Sequence, residues 1–262
     1  MLHLIGYALA VVIGFALGMV GGGGSILVIP VLVFFFKIDP TLATTYSLFI
    51  VGLSALCGSS TQWKEGNISF RAVAQFGIPS VIVLFIVRRW LLPAVPAVVF
   101  NGGGMVISKS LLVMVLFTTL MLAVGYTMVR QKKYTPGVSV QRPRLILQGA
   151  LTGAVTGFIG IGGGFIIVPS LVLFAGLPMR KAIGTSLVII SINCAVGILS
   201  NLTTTGSLNY PFLLRFAFLA AIGILLGTWF IRLIPDRNLK PVFGWIILGM
   251  SFFMIARLFL RY

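Results

Sequence analysis

Acidic side chains are almost missing from this chain. Asp39, Glu65 and Asp236 are its only carboxylates in 262 residues, and each falls at the end of an apolar run. The one histidine is His3. From so few groups no carboxylate pair, nucleophile triad or set of metal ligands can be assembled inside the protein. Enzymatic catalysis, a resident metal and a cofactor are therefore not expected. A buried Asp, Glu or His, a frequent device for proton coupling in pumps, is missing as well. The two cysteines, Cys57 and Cys194, lie inside hydrophobic runs, which favours reduced, packed thiols over a disulfide. Period-two alternation bounded by frequent turns is lacking, which argues against a transmembrane β-barrel. The first residues show neither a basic cluster nor a small-residue cleavage site, so the N-terminus is expected to stay with the protein.

What is present is hydrophobic. Apolar residues make up 59% of the chain and charged ones 8%, with a mean hydropathy of +1.14. A soluble domain of this length could not carry that much apolar surface, so the chain reads as an integral membrane protein with the lipid bilayer as its environment. Runs of about 20 apolar residues match a hydrocarbon core of about 30 Å. They fall at 42–62, 69–89, 108–130, 181–203, 211–233 and 241–260. The 19 Lys and Arg give a net charge of +16, gathered at segment ends instead of in one patch suited to nucleic acid. The densest group, Arg130, Lys132, Lys133, Arg142 and Arg144, marks a cytoplasmic loop by the positive-inside rule. Arg88, Arg89, Arg257 and Arg261 then lie on the opposite side, against that rule. A basic mouth also concentrates anions and repels cations.

One glycine-rich segment occurs twice, 139 residues apart: GMVGGGGSILVIP at 18–30 and GFIGIGGGFIIVP at 157–169. Gly18, Gly21, Gly23, Gly24 and Pro30 fall on Gly157, Gly160, Gly162, Gly163 and Pro169. Further along, Ala43, Ser47, Leu48 and Gly58 fall on Ala182, Ser186, Leu187 and Gly197. The chain is thus expected to be a duplication: repeat one at 1–130, a basic cytoplasmic linker at 131–144, and repeat two at 145–262. Consecutive glycines lower helix stability by about 1 kcal/mol each relative to alanine, so the apolar run should break at each copy. The flanks are short for a full span, which leaves a re-entrant V or two short tilted helices. Irregular backbone at membrane depth persists only where it faces protein or a wet cavity. Three ordinary spans follow each broken pair. If the pair returns to its own side, each repeat crosses an odd number of times and the copies are inverted; an even count gives a parallel repeat. The stretch 93–108 reads as a loop or short interfacial element, a connection in preference to a lid.

Neutral polarity is what remains at depth: Ser25, Thr44, Thr45, Tyr46, Ser47, Ser54 and Gln62 in repeat one, and Thr185, Ser186, Ser191, Asn193, Ser200 and Asn201 in repeat two. A helix resuming after each glycine run offers free N–H groups and the positive end of its dipole, a ready anion site that glycine lets a small oxyanion approach. The expected substrate site is Gly22, Gly23, Gly24, Ser25, Thr45, Tyr46 and Ser47 together with Gly162, Gly163, Gly164, Thr185, Ser186 and Asn193. The competing role for Gly14, Gly18 and Gly22, and for Gly149, Gly153 and Gly157, is close helix packing. Trp63, Trp90, Trp229 and Trp245 read as interfacial anchors. Arg71 and Arg215 read as snorkelling, with Arg215 the one considered as an anion counter-charge.

The pattern GGGGSILVIP and GGGFIIVP, each followed at a fixed distance by ATTYSLFIVGLSAL or AIGTSLVIISIN and then by QWKEGNISF or TTTGSLNY, resembles the sulfite exporter TauE/SafE family. The resemblance spans nearly the whole chain. It implies an all-α polytopic carrier of the inner membrane that exports a small sulfur-containing anion, sulfite or an organosulfonate such as sulfoacetate. Some relatives are linked to sulfonate uptake, and a channel-like anion pathway or a membrane enzyme or assembly factor are the competing classes. A homodimer is compatible with the sequence. The resemblance implicates Gly21 to Ser25 with Thr45 and Ser47, and Gly160 to Gly164 with Thr185 and Ser186. Thr44-Thr45-Tyr46-Ser47 departs from the smaller Gly-Thr-Ser run of the family, seen here as Gly184-Thr185-Ser186, so Tyr46 is expected to narrow the site or add a phenolic donor.

Overall fold

The computed structural model describes residues 2–22, 25–38, 40–91, 98–102, 105–130, 142–159, 164–201 and 209–261. Helices dominate them. Helix α1 (Leu2–Val20) and α2 (Ser25–Phe35) flank the first glycine run, and α3 (Pro40–Lys64) and α4 (Phe70–Leu91) follow. A short antiparallel hairpin, β1 (Val98–Gly102) with β2 (Met105–Ser108), occupies the stretch read as a loop or short interfacial element. Then come α5 (Lys109–Arg130), α6 (Arg142–Ile159), α7 (Gly164–Leu173), α8 (Met179–Asn201), α9 (Tyr210–Ile231) and α10 (Asp236–Arg261). Each expected span is helical, with ends shifted by a few residues. Among the described residues four stretches are long and apolar enough to cross a membrane: Leu42–Lys64, Phe70–Leu91, Met179–Ser200 and Tyr210–Ile231.

The first broken pair is a V. The would-be Cβ of Gly6 runs into the ring of Phe36, and the Tyr7 and Phe36 rings sit edge to face at 5.4 Å. Helix α2 therefore returns to the end at which α1 begins. The start of α9 is at this end too, because Phe212 packs 4.9 Å from Phe36 and 6.0 Å from Tyr46. The opposite end holds Glu65 against Arg232, and Arg180, which donates to the Ile234 carbonyl at 2.9 Å.

Small residues decide which helices touch. A Cβ on Gly14 or Gly18 would strike the backbone of Ala220 or Ile224, and one on Gly223 or Gly227 would strike that of Val11 or Phe15. Helices α1 and α9 thus lie backbone against backbone, running the same way. In the second half Gly149 and Gly153 meet the carbonyls of Phe76 and Ser80, and Gly157 meets Val87 and Leu84, so α6 lies along α4. Close approach of this kind is the ordinary use of small residues between membrane helices. Its effect here is an exchange: each broken pair leans on a helix of the other half. Helices α3 and α8 cross between them, with Gly52 against the Cβ of Cys194.

The outer surface is apolar. Leu56, Ile82, Leu151, Phe218 and Phe252 are exposed on the helix flanks, as expected of groups that face acyl chains. Trp63, Trp90, Trp229 and Trp245 are exposed as well. Cys194 is fully buried, but Cys57 is exposed; both thiols are free. The packed thiol expected at Cys57 is therefore not found, because its side of α3 turns outward with Leu53 and Leu56.

Candidate functional site

The two glycine runs meet inside the protein. A Cβ on Gly22 would lie 2.5 Å from Gly164 Cα and against Ile190 Cδ1, and one on Gly164 would strike Gly22 in return. Gly21 and Gly22 have φ of 62° and 124°, values that L side chains rarely adopt, so the chain can turn here only on glycine. The turn is held from the second half. Ser186 Oγ lies 2.7 Å from the Gly21 carbonyl, to which it donates, and at the same distance from its own-helix acceptor, the Ile183 carbonyl. Beyond the turn α2 opens at Ser25, and α7 opens at Gly164. A helix start leaves its first N–H groups without intrahelical acceptors and carries partial positive charge.

Of the residues expected to form the site, Gly22, Gly164 and Ser186 are brought together at this contact. Gly23, Gly24, Gly162 and Gly163, and the side chain of Ser25, lie outside the described residues. Thr45 and Ser47 are buried on α3. Tyr46 and Thr185, which correspond under the 139-residue shift, hold matching positions at opposite ends. The Tyr46 hydroxyl accepts from the backbone N–H of Asn209 at 3.0 Å, and Thr185 Oγ1 accepts from that of Ser69, also at 3.0 Å. Asn209 and Ser69 are the caps of α9 and α4, each accepting from a first-turn N–H of its helix. These hydroxyls tie each half to a helix start of the other.

Asn193 is fully buried, and neither its Oδ1 nor its Nδ2 has a hydrogen-bond partner. It shares one face of α8 with Ser186, Ile190 and Gly197, spaced by four, three and four residues. That face runs from the glycine contact at Ser186 and Ile190 to Gly197. Its counterpart on α3 is Ser47, Val51, Ser54 and Gly58, and Ser54 Oγ is also buried and unpartnered. The end of the face carries a residue that the sequence reading left among the flanking charges. Arg88 sits on a π turn, Val87–Leu91, and points inward: Nη1 lies 3.1 Å from the position of a Cβ at Gly197, beside Leu48 Cδ1 at 3.2 Å. Its Nε and Nη1 are buried without a partner, whereas neighbouring Arg89 is exposed. The available signal was the Arg88-Arg89 pair itself. Adjacent helical residues point about 100° apart, so two neighbouring arginines on a packed helix do not share one surroundings.

A cavity of about 680 Å³ opens at the end where α1 begins, lined by Tyr7, Phe36, Lys37, Tyr46, Phe212 and Arg215 among others. Two cations and two phenols, with no carboxylate among the described residues of its wall, make it a basic mouth, and Arg215 is there as an exposed side chain instead of a buried counter-charge. No group of three His, Cys, Asp or Glu suited to a metal ion occurs among the described residues.

No solved structure matches the chain. Curated relatives do. A probable membrane transporter protein of Xylella fastidiosa (strain Temecula1) is 30% identical over 94% of this chain and 92% of its own length. One from Methanocaldococcus jannaschii, MJ0441, is 26% identical over 94% of each. YdhB of Bacillus subtilis, also named a probable membrane transporter protein, is 26% identical over 87% of this chain and 90% of its own length. The family model described as Sulfite exporter TauE/SafE matches residues 6–254. Apolar helices of membrane length, paired glycine breaks in register and this match agree: the chain is an integral membrane protein of the sulfite exporter TauE/SafE family.

Proposed function

We propose that the protein carries a small sulfur-containing oxyanion, sulfite or an organosulfonate such as sulfoacetate, outward across the bacterial inner membrane by alternating access. The observation that carries this reading is the contact of Gly22 with Gly164, where two interrupted helices meet in a buried place. Discontinuous helices meeting at a repeat interface are how many carriers form a substrate site. The helix starts at Ser25 and Gly164 supply the positive ends suited to an anion, and the basic mouth with Lys37 and Arg215 favours the same sign.

In this reading residues 1–130 and 145–262 are inverted repeats joined by the cytoplasmic linker. The direction of packing supports it. Helix α1 runs along α9 from the Tyr7 end, while α6 runs along α4 from the Glu65 end. The inward turn of Arg88 also removes one of the exceptions to the positive-inside rule. A potential of 100 mV, negative inside, supplies about 2.3 kcal/mol for each anionic charge moved outward, so export needs no coupling ion.

The test is uptake of radiolabelled sulfite into proteoliposomes under a valinomycin-set potential of either sign, with sulfoacetate, sulfate and chloride as competitors. Saturable flux that follows the potential, shows counterflow and is blocked by sulfur oxyanions is the expected result. Flux without saturation or counterflow points to a channel. Flux of no sulfur anion removes the substrate assignment.

A further inference from the structure

Among the described residues no carboxylate pairs with Arg88. Three of the five guanidinium N–H donors, those on Nε and Nη1, are buried and meet no acceptor. The chain has only three carboxylates to offer. Glu65 is engaged by Arg232 at the other end of the molecule, and the side chains of Asp39 and Asp236 lie outside the described residues. The side chain as a whole is half-buried, but burying these donors without a partner is unfavourable, and inside a membrane protein such a group is retained where it meets an ion or substrate.

The surroundings favour a ligand over accidental burial. The repeat symmetry is broken at this spot. Gly58, the counterpart of Gly197, is covered by Leu187 and the apolar Ile224, whereas Gly197 is covered by Leu48 and the guanidinium. A packing role was thus already filled in the other half by a hydrocarbon side chain. Asn193, one turn along the same face of α8, adds two amide donors that nothing in the protein uses. Arg88 also lies on a π turn, a local irregularity that is frequent at functional sites.

We propose that Arg88 is the fixed positive charge of an oxyanion-binding site on the α8 face between Ile190 and Gly197, with the Asn193 amide as its second donor group. The site rests on the anion-carrier reading above and deepens it by naming the residue that selects for negative charge. A guanidinium and an amide together suit a small, multi-oxygen anion over a halide.

The experiment compares wild type with Arg88→Gln, Arg88→Lys and Asn193→Leu, in two readouts: melting in detergent with and without sulfite, sulfate, chloride or phosphatidylglycerol, and sulfite flux in proteoliposomes. Wild type is expected to be stabilised by sulfite. Arg88→Gln should raise the half-saturating sulfite concentration by about tenfold or more, the cost of one lost charged hydrogen bond. It should also abolish the sulfite-induced melting shift while melting no lower than wild type without anion, because an uncompensated charge has been removed. Arg88→Lys should fall between the two, and Asn193→Leu should raise half-saturation as well. Should Arg88→Gln fail to fold, Arg88→Lys and Asn193→Leu decide by the same half-saturation criterion. Half-saturation within twofold of wild type in an active Arg88→Gln protein overturns the site and leaves the carrier reading intact. Lower melting of that variant without anion, with its sulfite shift retained, makes Arg88 structural. Stabilisation by phosphatidylglycerol and by no free anion assigns the charge to a lipid headgroup and overturns the site. A wild-type protein that neither binds nor moves any of these anions defeats the carrier reading itself.

Discussion

Replacing Gly22 by alanine should be among the most damaging single-methyl changes in the described part of the protein, and the damage separates into two terms. The first is conformational. At φ of 124° an L residue is held in a region it rarely visits, which costs about 1–2 kcal/mol. The second is steric: the new methyl would sit 2.5 Å from Gly164 Cα and against Ile190. Backbone cannot rotate away as a flexible side chain would, so overpacking adds about 1–3 kcal/mol. Together they amount to about 2–5 kcal/mol. Two other glycines isolate the terms. Gly66 has φ of 71° with nothing within 4 Å of its would-be Cβ, so Gly66→Ala should show the conformational cost alone. Gly164 has no positive φ but faces the same contact, so Gly164→Ala should show the steric cost alone. Melting of the four purified proteins in one detergent, with sulfite flux beside it, gives the comparison. The Gly22→Ala loss should exceed that of Gly66→Ala by at least the Gly164→Ala loss, because φ of 124° lies further than 71° from the left-handed region open to L residues, and the double variant of Gly22 and Gly164 should lose less than the sum, since both methyls contest one gap. A Gly22→Ala protein that melts no lower than Gly66→Ala refutes the contact between the two broken helices.

Two further predictions concern the ties at the ends. Thr185→Val leaves the Ser69 N–H without its 3.0 Å acceptor and should cost about 1–2 kcal/mol, read by melting, with Thr185→Ser restoring stability. The equivalent change Tyr46→Phe should cost less, because Asn209 is exposed and water can replace the hydroxyl; amide hydrogen exchange at Ser69 and Asn209 checks the difference. Arg232→Gln breaks the pair with Glu65, but Arg232 is half exposed. The loss should therefore stay within about 1 kcal/mol and shrink as salt is raised from low to physiological strength.

Much of the fold was legible because membrane spans are written in length and apolar content, and the six runs read from the sequence all became helices. The break after Val20 was legible because four consecutive glycines disfavour a helix more than close packing requires; in the second run Gly160 to Gly163 lie outside the described residues, and α7 opens at Gly164. The exchange of partners was not. Spacing at Gly14, Gly18, Gly149, Gly153 and Gly157 says that something will come close, and only the structure shows that it is α9 for α1 and α4 for α6. Arg88 escaped notice because hydropathy assigns a charged residue near a helix end to the interface, and the rotation that turns Arg88 inward and Arg89 outward is a tertiary choice. The hairpin at 98–108 was read as a loop because its glycines outweighed the β-branched and aromatic residues at Val98, Val99, Phe100, Val106 and Ile107.

The exchanged packing also constrains how access could alternate. If the two sequence halves rocked as rigid bodies, α1 would have to part from α9 and α6 from α4, and those helices meet backbone to backbone at glycine, with rings such as Phe15 and Phe230 packed beside the α1–α9 contact. Interfaces of that kind behave as single bodies, since packed cores switch between discrete arrangements and do not deform smoothly. The bodies available for motion under the proposed mechanism are therefore mixed ones: α1, α2 and α9 against α6, α7 and α4. Between them lie α3 and α8, which touch at Gly52 and Cys194 through side-chain atoms. The Gly22–Gly164 contact falls on that same boundary, because α1 and α2 carry Gly21 and Gly22 while α7 begins at Gly164. Relative motion across the boundary would expose the two helix starts to one end and then the other. Arg88 rides on the α4 body and faces α8, so the charge proposed to hold the anion would travel with one wall of the pathway, while Ser186 on α8 holds the turn at Gly21 of the other body.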